Sequence, residues 1–316
     1  MRIHHALLML LAVAGLLALP VCAARVADAE TALQAAGQKN QDILVFYHGS
    51  DWNAAGEKLK AVVWDLPSME AALPAVCLLS IDMVDKPTDE QKKTREKTQK
   101  KLLDVFNPWN YPAIALFDSK GRLVAKQEGL KATMSAPELV AKVKEFVTLR
   151  EQRDQLWQSA EQAGDPYAKA AALGKGLAVL DYKIARQREY HEIIKRIKEL
   201  DKENRTGYAE VYEFNTGAFV EGQIFPIKQK SKTNHQEVLD SLETMERNAV
   251  RPVWQKQEIL AMKYALYACW DGHAADATDC LNKIVALDPD SDAAIGAKHL
   301  LEPGVAKSCW MNDAFK

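Results

Sequence analysis

The chain has 316 residues, of which 48% are hydrophobic and 27% charged, and its formal net charge is −2 at pH 7. This length is enough for about two globular domains, and the composition is that of an ordinary globular protein. The near-zero net charge gives no indication of nucleic-acid binding or of a polybasic surface that would bind membranes.

The N-terminus has the layout of a signal peptide. Arg2 precedes the apolar run "ALLMLLAVAGLLALPV", which is short for a transmembrane helix, and small residues follow in "VCAAR". We expect cleavage after Ala23, so residues 1–23 form the predicted signal peptide. Cys22 raises the alternative of a lipoprotein, but Val21 fits poorly before a lipidated cysteine, and we expect no lipid anchor. The mature protein is expected to be periplasmic or secreted, without an integral membrane segment.

Residues 24–149 alternate between predicted helices and strands. "VADAETALQAAGQK" has the apolar spacing of a helix, whereas "DILVFYH" and "ALPAVCLLSIDM" are continuous apolar runs typical of buried strands. The charged segment "TDEQKKTREKTQKKLLDVF" predicts a helix that docks through its apolar end. Two further strands are expected around the turn "SKG", and "APELVAKVKEFVTL" predicts a closing helix. This order predicts an α/β domain with a central mixed sheet flanked by helices.

The segment "GSDWNAAGEKL" follows the first buried strand and predicts the start of a helix. Ser50 and Asp51 are good candidates for the N-cap of a helix that begins near Trp52. The apolar spacing predicts three side chains on the inner face of this helix: Leu59, Val62 and Val63.

The domain resembles the thioredoxin-like superfamily over roughly residues 30–149. Four segments carry the resemblance: "ILVFYHGSDW", "AAGEKLKAVVW", "YPAIALFDSKGRLV" and "QEGL". It implies a thioredoxin-like fold, and it implies that the bond between Tyr111 and Pro112 is the cis peptide of the family.

The two active-site cysteines of that family are missing. Trp52 is present, but Asn53 and Gly56 stand at the two cysteine positions. Thiol–disulfide exchange needs an attacking thiolate and a second thiol that resolves the mixed disulfide. Neither residue provides one, and Cys77 lies on a different predicted strand. We therefore expect no dithiol–disulfide oxidoreductase activity and assign no catalytic residue.

The resemblance also implies a peptide-binding groove, which does not require the missing cysteines. In the family, backbone groups of the loop before the cis-proline pair with an extended peptide. The residues that would line this groove here are Trp52, Trp109, Tyr111 and Pro112, with His48 as a further candidate. Aromatic walls beside free backbone groups suit peptide recognition. The alternative is that these aromatic residues only pack as they do in active relatives.

Residues 150–316 are rich in helix formers and predict an all-α domain. The stretch "CWDGHAADATDCLNKIVALDPDS" resembles the end of a tetratricopeptide repeat, although the other helices follow no regular period. We predict a helical-hairpin array of this type, which typically binds proteins on a concave surface. The aromatic segment "YEFNTGAFVEGQIFPIKQKSKTN" is expected to be a loop, either functional or a connector.

No nucleotide-binding, metalloprotease or serine-hydrolase motif is present in the sequence. We expect neither a cofactor nor a metal. One disulfide is expected among Cys269, Cys280 and Cys309, and its pairing stays open because spacing alone cannot select the partners.

The function expected from these features is protein or peptide binding by a redox-inactive bacterial envelope protein, acting as a chaperone or scaffold. An enzyme is the less favoured alternative, either of unknown type with a site between the domains or a monothiol redox protein that uses Cys309.

Overall fold

A computed structural model of the chain describes residues 25–224, 234–268, 270 and 272–303. The signal peptide predicted at residues 1–23 lies outside the described residues, as does Cys22. Among the described residues, no helix combines the length and the apolar composition needed to cross a membrane. The chain divides into two compact units between Gln152 and Arg153.

The first unit contains a five-stranded mixed sheet with the strand order β1-β3-β2-β4-β5. The strands are β1 Arg25–Val26, β2 Asp42–His48, β3 Val76–Asp82, β4 Ala113–Phe117 and β5 Leu123–Gln127. β3 runs parallel to both β1 and β2, whereas β4 is antiparallel to β2 and to β5. Every residue of β2 is buried, because this strand lies in the middle of the sheet. The continuous apolar pattern of "DILVFYH" predicted this position.

The sequence predicted neither β1 nor a second helix between β2 and β3, but the other helices accompany the sheet in the predicted order. The helices of this unit are α1 Ala29–Lys39, α2 Ala54–Leu59, α3 Pro67–Ala72, α4 Asp89–Thr94, α5 Lys100–Leu103 and α6 Ala136–Gln162. Two π-helical segments, Lys60–Trp64 and Arg95–Gln99, continue α2 and α4. α6 has 27 residues, and the division between the two units falls inside it.

The N-cap of α2 differs from the prediction. The capping residue is Asn53, not Ser50 or Asp51. The side chain of Ser50 instead donates a hydrogen bond to Asp82, and the Asp51 carboxylate accepts the backbone amide of Asp85. These two side chains therefore tie the loop before α2 to the residues at the end of β3, and the helix begins later than predicted.

The inner face of α2 also departs from the prediction at one position. Leu59 and Val63 are buried as expected, but Val62 is 51% exposed. The π-helical segment after α2 is the cause, because its wider turn changes the direction of each following side chain. Trp64 occupies the core instead, stacked on Phe46 with ring centroids 5.1 Å apart.

The described part of the second unit contains helices and no strand. Its helices after α6 are α7 Pro166–Ala178, α8 Tyr182–Ala185, α9 His191–Leu200, α10 Tyr208–Glu213, α11 Thr216–Phe219, α12 His235–Glu246, α13 Val253–Ala268, α14 Ala274–Leu287 and α15 Asp292–Leu301. Two sides of α13 enter different apolar clusters. Ile259 and Met262 pack with residues of α12, whereas Leu260 and Tyr264 pack with residues of α14.

The aromatic segment predicted as a loop begins with helical structure. It contains the end of α10, then α11 and the π-helical turn Val220–Ile224. Phe214 is buried and Val220 packs in the same apolar cluster, so this part of the segment contributes to the core. Residues 225–233 of the predicted loop lie outside the described residues.

A buried carboxylate organises the turn after α9. Asp201 accepts hydrogen bonds from the backbone amides of Arg205 and Thr206, each at 2.7 Å, and from the Thr206 hydroxyl. Burial acts to raise the pKa of Asp201, but the hydrogen bonds from Thr206 and Arg205 outweigh it and leave the pKa below its usual value. The ionised carboxylate therefore stabilises this turn.

We predict that Asp201→Asn lowers the free energy of unfolding by about 1–2 kcal/mol at pH 7, since an amide oxygen replaces a charged acceptor of three bonds. The folded-state pKa is below the unfolded value of about 3.9, so the stabilisation is complete above that value and lost as the pH falls through the folded pKa. Urea unfolding from pH 7 downward should therefore show the gap between the variant and the wild type closing in acid. An equal gap at every pH would contradict this role, and the exposed Asp279→Asn serves as the control.

Candidate functional site

The start of α2 meets the loop before β4 through one side chain. Asn53 Oδ1 accepts the backbone N–H of Gly56 at 2.6 Å, and Asn53 Nδ2 donates to the carbonyl oxygen of Tyr111 at 3.4 Å. The peptide bond between Tyr111 and Pro112 is cis. The residue at the first cysteine position of the thioredoxin-like pattern therefore caps the helix and contacts the residue before the cis-proline.

The second cysteine position has no room for a side chain. Gly56 is buried, and a Cβ placed on it would lie 2.3 Å from Asn53 Oδ1 and 3.1 Å from the Cβ of His48. The side-chain oxygen of Asn53 and the Cβ of His48 thus lie where the side chain of a resolving cysteine would be.

Trp52 lies on the outside of the same loop. Its indole Nε1 donates to the Met83 carbonyl at 2.7 Å, and its ring meets the ring of Tyr111 edge-on with centroids 5.2 Å apart. The Trp52 ring fits here because residue 49 is a glycine, since a Cβ on Gly49 would lie 2.2 Å from the Trp52 indole nitrogen. Trp52 remains 48% exposed, so it presents a fixed apolar face to solvent.

Trp109 lies two residues before Tyr111 and is 91% exposed. Its backbone is held, because Glu128 Oε2 accepts the amides of Trp109 and Asn110 at 2.8 and 3.1 Å. Burial acts to raise the pKa of Glu128, but hydrogen bonds from Lys126 and from these two amides lower it overall. An ionised Glu128 therefore anchors the loop while the indole of Trp109 projects into solvent.

Most backbone groups of this loop already have partners inside the protein. The carbonyl of Asn110 accepts from Gly129, and the carbonyl of Pro112 accepts from Leu130 at 2.9 Å. The N–H of Tyr111 donates to no acceptor among the described residues. More of the loop's backbone groups are therefore hydrogen-bonded within the protein than the resemblance implies, and the Tyr111 N–H is an open donor beside the cis-proline.

The remaining predicted site residues are less accessible. Pro112 is buried. His48 is also buried, with its Nδ1 2.6 Å from Glu57 Oε1 and its ring stacked on Phe46. The structure thus brings Trp52 and Tyr111 into contact and exposes Trp109 on the same loop as Tyr111. We define these three residues as the aromatic surface.

The described cysteines are poor nucleophiles. Cys77 and Cys280 are both buried free thiols. Burial raises the pKa of Cys77, and it raises the pKa of Cys280 to about 11, so both stay protonated at neutral pH. Cys269 and Cys309, which complete the predicted disulfide set, lie outside the described residues.

Sequence reasoning missed two residues that position this site. Asn53 was noted only as a lost cysteine, although asparagine is among the best N-cap residues and this preference could have identified its role. Glu128 was not singled out, because its link to the Trp109 amide joins residues 19 positions apart in the chain and leaves no local pattern.

Comparison with known proteins identifies no family for this chain. No protein-family model matches the chain, and no curated protein matches it. Ten chains of known structure do match. One is the DsbH oxidoreductase, at 20% sequence identity and a TM-score of 0.33, covering 41% of this chain and 88% of that chain. A likeness this distant carries no argument about the fold or the activity of this chain.

We predict that the cost of Gly56→Cys depends on Asn53. The single variant forces its side chain against Asn53 Oδ1 and should cost about 1–3 kcal/mol of stability. The Asn53→Cys variant lacks the Oδ1 atom, so in that background Gly56→Cys should cost about 1 kcal/mol less stability. Urea unfolding of the four proteins in this double-mutant cycle measures the coupling.

The same double variant tests the geometry of the loop. If the loop retains thioredoxin geometry, its two thiols should form a disulfide and show measurable disulfide reductase activity. Strictly additive stability losses, or a folded double variant with no redox activity, would contradict that geometry.

Proposed function

We propose that this chain is an exported bacterial protein whose first unit is a redox-inactive thioredoxin-like domain that binds an extended peptide or protein segment at the aromatic surface. The observation that carries the proposal is the combination of an almost fully exposed Trp109, whose backbone amide is held by Glu128, with the open N–H of Tyr111 in the same loop. One feature supplies apolar contact area and the other a backbone hydrogen bond.

The exposed indoles support the binding part of this proposal. Tryptophan is enriched among the residues that dominate binding energy, because it buries a large area with few rotatable bonds. The backbone beside Trp109 is fixed by Glu128, and Trp52 is fixed by its bond to Met83. Binding would therefore cost little ordering of the backbone at this surface.

The Tyr111 amide supports an extended partner. An unpaired backbone donor beside apolar side chains suits a strand-like peptide, whose carbonyl groups point outward at regular intervals. A bond from a peptide carbonyl to this N–H would satisfy a donor that has no acceptor among the described residues. Such a bond contributes about 1 kcal/mol, so the indoles would supply most of the affinity.

The helical second unit fits a scaffold role in this proposal. α13 packs with α12 on one side and with α14 on the other, as in an array of helical hairpins. The sequence "ALDPDS" spans the end of α14, as in a tetratricopeptide repeat. We include a tetratricopeptide-like character of this unit in the proposal.

We predict that Trp109→Ala weakens peptide binding more than tenfold without lowering stability, because its indole is the most exposed part of the aromatic surface and packs little against the rest of the protein. The measurement begins with selection of binders for the intact mature protein from a library of random extended peptides. The dissociation constants of the selected peptides are then compared by fluorescence polarisation.

Trp254→Ala is the matched control, since Trp254 is a partly exposed tryptophan on α13 of the second unit. The proposal requires that Trp109→Ala and Trp52→Ala lose affinity while Trp254→Ala keeps it. Selected peptides that bind Trp109→Ala as well as the wild type would move the binding site away from the aromatic surface.

A further inference from the structure

Three of the four basic residues of α9 lie on one side of the helix. His191, Lys195 and Lys198 are spaced four and three residues apart, so they lie on the same face. The acidic residues belong to the neighbouring face, where Glu199 pairs with Arg196 at 3.2 Å. We call the face formed by His191, Lys195 and Lys198 the cationic stripe.

The cationic stripe forms one wall of an open cavity of about 680 Å³ within the second unit. Ile194, from the same helix, adds an apolar side chain to this wall, and Tyr212 of α10 and Arg186 line the cavity as well. This volume falls within the range of about 300–1,000 Å³ that is typical of ligand pockets.

Arg186 and Tyr212 are held by an aromatic framework. The Arg186 guanidinium lies 5.4 Å from the ring centroid of Tyr182, and Tyr182 stacks on Tyr212 with centroids 5.9 Å apart. The Tyr182 hydroxyl donates to the Val211 carbonyl and accepts from Gln255. These contacts orient the Arg186 guanidinium in the absence of a ligand, which lowers the conformational entropy that binding would cost.

The charges that line the cavity are unbalanced. Its residues include three cations that are charged at neutral pH, Arg186, Lys195 and Lys198, and one carboxylate, Glu213. Glu213 pairs with Lys198 at 3.0 Å. Lys195 has no hydrogen-bond or ion-pair partner among the described residues. The cavity therefore carries a net positive charge that a ligand could neutralise.

We propose that this cavity binds an acidic peptide segment of a partner protein, with carboxylates at Lys195 and Arg186 and an apolar side chain against Ile194 and Tyr212. The cavity is far larger than one inorganic anion, and its lining contains both charged and apolar groups. Both properties favour a short stretch of chain that contains Glu or Asp beside an apolar residue. This site is separate from the aromatic surface, and the inference does not depend on the proposed function of the first unit.

The test titrates the full mature chain with a capped hexapeptide of alternating Glu and Leu at low ionic strength, by isothermal titration calorimetry. The same peptide with Gln in place of Glu is the neutral comparison, and inorganic pyrophosphate is the simple anion. Lys195→Glu should weaken binding of the acidic peptide about tenfold, and added salt should weaken it further. Arg196→Glu is the matched control, because it makes the same charge change one residue away on the other face of α9.

Selective loss in Lys195→Glu, with little change in Arg196→Glu and weak binding of the Gln peptide, supports the site. Equal loss in the two variants would indicate a general effect of charge and overturn the proposal. Absence of binding to the wild type, equal binding of the Gln peptide, or pyrophosphate binding as tightly as the acidic peptide would also overturn it. Circular dichroism of each variant establishes that a loss of binding is not a loss of fold.

Discussion

The Asn53 side chain is the contact on which the arrangement of the candidate site depends. Its oxygen caps α2 through Gly56 N–H, and its amide reaches the Tyr111 carbonyl beside the cis-proline. The first hydrogen bond fixes the start of α2, and the second joins α2 to the loop before β4. They also fill the space of a second thiol, because Gly56 has no room for a Cβ while Asn53 stays in place.

This contact connects the loss of thiols to the function that we propose. Asn53 donates a hydrogen bond to the Tyr111 carbonyl, and Glu128 accepts the amides of Trp109 and Asn110. These internal bonds stabilise the conformation of the loop in the absence of a partner. The groups that remain for a partner include the indole faces and the backbone N–H of Tyr111. Such a surface is suited to binding, and the described thiols, which are buried and protonated at neutral pH, supply no thiolate.

The sequence predicted the sheet well because each central strand carries a continuous apolar run that only burial on both faces explains. It predicted the start of α2 less well, because Ser50, Asp51 and Asn53 are all good N-cap residues. The side chains of Ser50 and Asp51 form hydrogen bonds with residues at or just after the end of β3, so Asn53 caps the helix. Val62 was placed inward because regular helical spacing was assumed, and a π-helical turn is invisible to that pattern. The aromatic residues of the site could be named from the resemblance, but their exposure depends on long-range contacts that no local pattern records.

The most direct test of the proposed binding surface is nuclear magnetic resonance of the intact mature chain, labelled with ¹⁵N in its tyrosine and tryptophan residues. A peptide selected for binding would be titrated in while the Tyr111 amide and the indole N–H signals are followed. The account predicts a downfield shift of the Tyr111 amide as it gains an acceptor, together with shifts of the Trp109 and Trp52 indoles. If these three signals stay unchanged while the Trp254 indole moves, the aromatic surface is not where the peptide binds.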